Sequence, residues 1–116
     1  MKYPKTLIVA DVCTDYIVIH FNTPSIREIR DVQKVAAEMD EVLAGFQAPL
    51  VVLNFSRVNM LSSSFLGKLI GLRTRLKEEN VELRVCCMPP DVLTAFKLLN
   101  LHKLIKVYPT LEKALE

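Results

Sequence analysis

The sequence predicts an α/β fold: one domain, residues 1–116, with a mixed sheet of about five strands and helices packed on it, in the order ββαβαβαβα. Three observations carry this. Runs of strand length, rich in β-branched residues, alternate with apolar stripes of helical spacing. The first two strands are joined by a short link, which makes a hairpin, while each later strand is followed by a helix. One run, Leu50-Val51-Val52-Leu53-Asn54-Phe55, is almost unbroken apolar, as a strand covered on both faces is, and belongs at the centre of the sheet.

Taken in order, Thr6 to Val12 reads as the first strand and Tyr16 to Phe21 as the second, with Asp15 in the turn between them. Asn22-Thr23-Pro24-Ser25 breaks the pattern, and proline near a helix start with serine as its cap predicts a helix from about Ile26 to Ala44. Its stripe is Ile29, Val32, Val35, Ala36, Met39, Val42 and Leu43; the mixed charges off the stripe read as a solvated face. Gly45 ends it. After the central strand comes a serine-rich loop, then a second helix to about Glu79, with Asn80 as a left-handed stop. Its core candidates are Leu66, Leu69, Ile70 and Leu76, and its charges, Lys68, Arg73, Arg75 and Lys77 with Glu78 and Glu79, read as another solvated face. Val81 to Met88 is the fourth strand. Pro89-Pro90-Asp91 opens a third helix carrying Val92, Leu93, Phe96, Leu99 and Leu101. Lys103 to Tyr108 is a short fifth strand, and Thr110 caps a terminal helix through Leu115.

Composition bounds what such a domain does. The 116 residues suit one domain with a real core, and a hydrophobic share of 51% favours a folded globule over disorder. A net charge of +2 is no electrostatic footprint for nucleic acid or a membrane. No apolar run approaches the ~20 residues of a span, and the start, Met1-Lys2-Tyr3-Pro4-Lys5, has no signal core. A cytoplasmic protein, not inserted in a membrane, is the expectation. Cys13, Cys86 and Cys87 are expected to be free thiols, because neighbours on a strand face opposite ways and no Cys-x-x-Cys or nearby histidine completes a metal site. Neither a metal nor a cofactor is implied.

The serine loop, Asn59-Met60-Leu61-Ser62-Ser63-Ser64-Phe65-Leu66-Gly67, is where chemistry is concentrated. It lies at the carboxyl end of the central strand, where ligands of α/β folds gather. Three hydroxyls at a helix start have two readings: a cap, whose oxygen accepts a backbone N–H, or a place that receives phosphate, favoured by the free N–H groups and the helix dipole. Catalysis has little support. There is no Gly-x-Ser-x-Gly elbow or Walker loop, and His20 and His102 have no acidic partner by pattern. The protein is expected not to be an enzyme.

Ser62-Ser63-Ser64-Phe65-Leu66-Gly67 resembles, without gaps, the Asp-Ser-Ser/Thr-Gly-Leu-Gly motif of STAS domains, the fold of bacterial anti-sigma factor antagonists. The resemblance runs from Leu50 to about Leu115 and includes Val81 to Met88, Pro89-Pro90 and Val92-Leu93-Thr94-Ala95-Phe96; the first third agrees by topology. It implies a partner switch in transcription regulation. Such a module binds an anti-sigma factor that is also a GHKL-type serine kinase, and is switched by phosphorylation of the first hydroxyl residue after the motif aspartate. That position is Ser63, with Ser62 and Ser64 as alternatives, and a serine phosphatase reverses the step. Asn22, Ser62, Ser64, Phe65, Lys68 and Leu72 are then the expected partner-binding residues.

The sequence departs from the pattern at Ser62, which replaces the motif aspartate, at Asn22, where an acid often ends the second strand, and at Phe65, which replaces the first motif glycine. The alternative implied by the neutral positions is a STAS scaffold or transporter-associated subunit that is never phosphorylated. Phe65 and Leu72, seven apart on the second helix, form either an added partner contact or part of a slightly larger core.

Overall fold

The computed structural model describes residues 1–116. Its main sheet has six strands: β1 (Lys2–Pro4), β2 (Ile8–Val12), β3 (Ile17–Phe21), β5 (Leu50–Asn54), β7 (Glu82–Cys86) and β8 (Lys106–Tyr108), in the order β1-β2-β3-β5-β7-β8. The first two pairings are antiparallel and the other three parallel. The mixed sheet, the opening hairpin and the central place of β5 are as the sequence predicts, with one strand more than expected. That strand, β1, lies on the edge, which Pro4 tolerates because an edge strand need not donate every N–H.

Three helices, α1 (Ile29–Gly45), α2 (Ser63–Glu78) and α3 (Pro90–Leu98), pack on one face of the sheet, where alternate strand residues such as Ile8, Ile19, Leu53 and Val85 meet Val35, Leu69 and Phe96. A short α4 (Leu111–Ala114) covers a smaller cluster, Val18, Val52, Cys86 and Ala114, on the other face. Thr110 caps α4, its hydroxyl accepting from the Lys113 N–H at 3.2 Å. Buried Glu38 of α1 accepts from the N–H groups of Leu7 and Ile8 at 2.8 and 3.2 Å, tying the helix to the start of β2.

Several element ends differ from the sequence reading. Helix α1 starts three residues late, at Ile29, and Ser25 is not its cap; its N-cap is Glu28, which makes no side-chain cap bond. Ser25 and Ile26 instead form β4 (Ser25–Ile26), paired in parallel with β6 (Met60–Leu61) in a two-stranded ladder apart from the main sheet. Ile26 is fully buried there, and Ile29, expected on the apolar stripe of the helix, is exposed at its first turn. On α2, Ile70 is likewise exposed rather than in the core.

Helix α2 stops at Asn80 as expected. Its φ is 61°, the Val81 N–H reaches the Leu76 carbonyl at 2.8 Å, and the Asn80 N–H reaches that of Lys77 at 3.0 Å, a complete Schellman pair. Strand β7 ends at Cys86, because Cys87 adopts a left-handed φ of 61°. All three cysteines are free; burial pushes the Cys86 thiol up to about 12, with the neighbouring Cys87 thiol adding to the shift.

Candidate functional site: the loop that starts α2

The carboxyl ends of β3 and β5 lie side by side in register, His20 opposite Asn54. Beyond them the two chains are stitched together. The Asn59 and Met60 N–H groups both donate to the Pro24 carbonyl, at 2.8 and 3.2 Å, and the Ser62 N–H donates to the Ile26 carbonyl at 3.1 Å. Arg57 Nη1 donates to Asn22 Oδ1 at 2.7 Å. The ladder of β4 and β6 therefore carries Asn22 toward the serine loop, although the two are about forty residues apart in sequence.

Below the loop the chain closes on aromatic packing. The Phe21 ring lies 4.8 Å from Phe55 and meets Phe65 edge-on at 5.7 Å, between centroids. All three are fully buried, with Val58 and Ile26 beside them. Three elements that would otherwise end separately, β3, β5 and α2, are thus joined by one ring cluster directly under the serines.

The three hydroxyls have different roles. Ser62 is the N-cap of α2: its backbone is extended and its Oγ accepts from the Phe65 N–H at 3.2 Å. Ser63 and Ser64 are the first helical residues, and both are exposed. Of the four N–H groups at this helix start, those of Ser62 and Phe65 are already bonded, to the Ile26 carbonyl and Ser62 Oγ, which leaves those of Ser63 and Ser64 and the helix dipole to favour an added anion. Ser64 and Lys68, one turn apart, line a groove of about 520 Å³ between α1 and α2, where Arg75 Nη2 also holds Asp40 Oδ1 at 2.8 Å.

The sequence-predicted residues divide accordingly. Asn22, Ser62, Ser63, Ser64 and Lys68 come together around the start of α2 with polar groups at or near the surface. Phe65 and Leu72 do not belong with them as contact residues. At 1% and 5% exposure they face the core, and of the two readings of this stripe the larger core is the one realised. The expectation of a partner contact through these two rested on their common line along the helix; that line is packed into the core, where Phe65 and Leu72 form the floor of the groove that Ser64 and Lys68 border.

Two neighbours went unremarked in the sequence, Arg57 and Asn54. Asn54 is the polar end of an apolar strand, and both ends of its amide have a partner. Its Oδ1 accepts from the Ser56 N–H at 2.9 Å, and its Nδ2 lies 3.1 Å from His20 Nδ1. Because the Asn54 oxygen is taken, the nitrogen must donate, which fixes a neutral imidazole with its proton on Nε2. Burial lowers the His20 pKa in the same sense, opposed by Asp11 and assisted by Lys2 and Arg57. His20 is thus a strand-end residue hydrogen-bonded for structure, and His102 is exposed in a 3₁₀ turn, Leu101–Lys103. No group of three or more His, Cys, Asp or Glu side chains is placed to hold a metal ion.

The family model of the STAS domain matches residues 16–114, from β3 through α4. The chain belongs to the STAS-domain family. Among solved structures, this STAS domain is similar to an anti-sigma factor antagonist from Mycobacterium paratuberculosis, with a TM-score of 0.81 and 22% identity over 93% of this chain and 89% of that one. It is similar to the anti-sigma factor antagonist SpoIIAA in its unphosphorylated form, with a TM-score of 0.75 and 18% identity over 92% and 91% of the two chains. It is also similar to part of the murine anion transporter Slc26a9, with a TM-score of 0.74 and 11% identity over 90% of this chain but 18% of the transporter. At these identities the likeness is one of fold. No helix is long and apolar enough to cross a membrane.

Proposed function

We propose that this STAS domain is an anti-sigma factor antagonist-like regulatory module: a cytoplasmic, non-catalytic protein that binds a GHKL-type serine-kinase anti-sigma factor and is switched by phosphorylation of Ser63. The observation that carries the reading is the division of labour among the serines. Ser62 caps α2, so the helix start does not need the hydroxyl of Ser63, which is exposed on the first turn. A phosphoryl group there adds about −1.5 to −2 charges at pH 7. At a helix N-terminus that charge is compatible with the fold. Inside a protein interface it carries a desolvation penalty and repels acidic groups, so a local covalent change reverses binding. SpoIIAA, which shares the fold, has been described in both unphosphorylated and phosphorylated forms, which supports a phosphorylation switch on this scaffold. A serine phosphatase resets it.

The second reading is a scaffold or transporter-associated STAS subunit that is never phosphorylated. It is favoured by Asn22 and Ser62, neutral where the family pattern is often acidic, and by the likeness to a domain of Slc26a9. Capture from source-organism lysate by wild type, Ser63→Ala and Ser63→Glu separates the two. Under the switch reading, wild type and alanine retain a GHKL-type kinase and glutamate loses it. Retention of one scaffold or transporter component by all three baits would overturn the switch and leave the second reading standing.

A further inference from the structure

At the opposite end of the fold from the serine loop, the chain turns from α3 into β8. Helix α3 runs back from the carboxyl end of β7, so its last residues lie at the amino-terminal edge of the parallel strands. Three leucines stand exposed on this corner: Leu98 at 77%, Leu99 at 52% and Leu104 at 44%. The turn that holds them is well defined. Asn100 adopts a left-handed φ of 58°, its N–H reaches the Lys97 carbonyl at 2.9 Å, and the Ile105 N–H reaches that of Leu101 at 2.9 Å. Leu101 and Ile105 are buried beneath as anchors. The exposed leucines are therefore presented by a closed turn.

The charge along the turn itself has one sign. Lys97 and Lys103 flank the leucines, are exposed, and take part in no ion pair. From Val92 to Leu111 the sequence has no aspartate or glutamate. The carboxylate that senses Lys106, Glu82, is already held by Arg84 at 2.7 Å. The whole-chain charge of +2, which gave no reason to expect a membrane, averages over this corner.

We infer that this corner is a peripheral membrane contact for anionic phospholipid, with Leu98, Leu99 and Leu104 entering the headgroup boundary and Lys97 and Lys103 meeting lipid phosphates. Composition selects this occupant. Protein interfaces are anchored by Trp, Tyr and Arg and are depleted in lysine, and the exposed residues of this corner are three leucines and two lysines with Asn100 and His102 between them, none of them an aromatic or arginine anchor. Leucine tips with a lysine rim are the pattern of surfaces that lie in a charged bilayer interface. The groove between α1 and α2 does not include this corner. A second copy docking the same corner face to face would oppose lysine with lysine.

The test is co-sedimentation of the full chain with vesicles of phosphatidylcholine alone and of phosphatidylcholine with an equal part of phosphatidylglycerol. Binding is expected to the anionic vesicles only, and to weaken as salt shortens the screening length from about 10 Å at 0.1 M toward about 3 Å at 1 M. Each lysine is worth roughly fivefold near such a surface, so the double variant Lys97→Gln, Lys103→Gln should lose roughly thirtyfold. Leu98→Ser with Leu104→Ser should lose on the order of tenfold or more while retaining the wild-type melting temperature, since both side chains are exposed. Absence of wild-type binding to anionic vesicles overturns the inference, as does leucine-independent binding. If vesicles are ignored and the leucine variants instead weaken capture of a protein partner, the corner is a protein interface and the lipid assignment falls. The serine variants should sediment like wild type, which separates this contact from the switch.

Discussion

Replacing Phe65 by alanine tests the central structural claim about the serine loop. The ring is buried, at 1% exposure, and meets Phe21 edge-on at 5.7 Å. Phenylalanine-to-alanine changes in a core remove about 3–5 kcal/mol, the larger values where the surroundings cannot collapse into the void. Here the void would be bounded by Phe21, which is itself held at the end of β3 against Phe55, so little collapse is available. Of the total, about 0.5–1.5 kcal/mol is the aromatic pair itself. At roughly 4 °C per kcal/mol for a chain of this length, the melting temperature should drop by about 12–20 °C. Urea unfolding of wild type, Phe65→Ala, Phe21→Ala and the double variant reads both quantities, the second as the coupling energy of the cycle. A loss below about 1 kcal/mol together with loss of partner capture would refute the reasoning and return Phe65 to the surface.

Three further outcomes follow from the same geometry. Ser62→Ala should cost about 1 kcal/mol by urea midpoint, whereas Ser62→Asp, an equally good cap, should lie within a few tenths of wild type. Glu38→Ala should cost about 3 kcal/mol by the same assay, since it leaves the Leu7 and Ile8 N–H groups unpaired, and Glu38→Gln, which keeps an acceptor oxygen, should lose much less. His20, with its folded pKa lowered, binds its proton more readily in the unfolded chain, near the ordinary value of about 6.5. Its neutral hydrogen-bonded form is therefore at full effect above that value, and stability should decline as pH falls from about 6.5 toward the lower folded value. His20→Gln should flatten that slope in melts taken across pH 5–7.

The parts of this fold that local chemistry dictates were readable in the sequence. The unbroken apolar run of β5, the left-handed stop at Asn80 and the threonine cap of α4 depend on a residue and its immediate neighbours. What the sequence misplaced depends on distant partners. Strand β1 has three residues, one a proline, and exists because Lys2, Tyr3 and Pro4 find Asp11, Ala10 and Val9. Ile26, expected to open the first helix behind a proline and a serine cap, is instead buried in a parallel pairing with Leu61. At the site, the serine loop and Asn22 were legible through motif and strand order. Periodicity put Phe65 and Leu72 on one line but carried no information about which way that line faced. Arg57 was not legible at all, because an isolated arginine in a loop gains meaning only from the Asn22 side chain it reaches.

The short ladder of β4 and β6 bears on how any partner must approach. Its strands contribute two residues each, but buried Ile26 and Val58 pin it from below, and the Pro24 carbonyl holds it from the side. Under the proposed switch, the segment bearing Ser63 would meet a partner with its backbone already ordered. Association then carries little configurational loss on this side, and whatever adjustment is needed falls on the partner. Such a surface should bind with similar entropy at low and high temperature apart from solvent release, and loosening the ladder would weaken affinity without removing a single intermolecular contact.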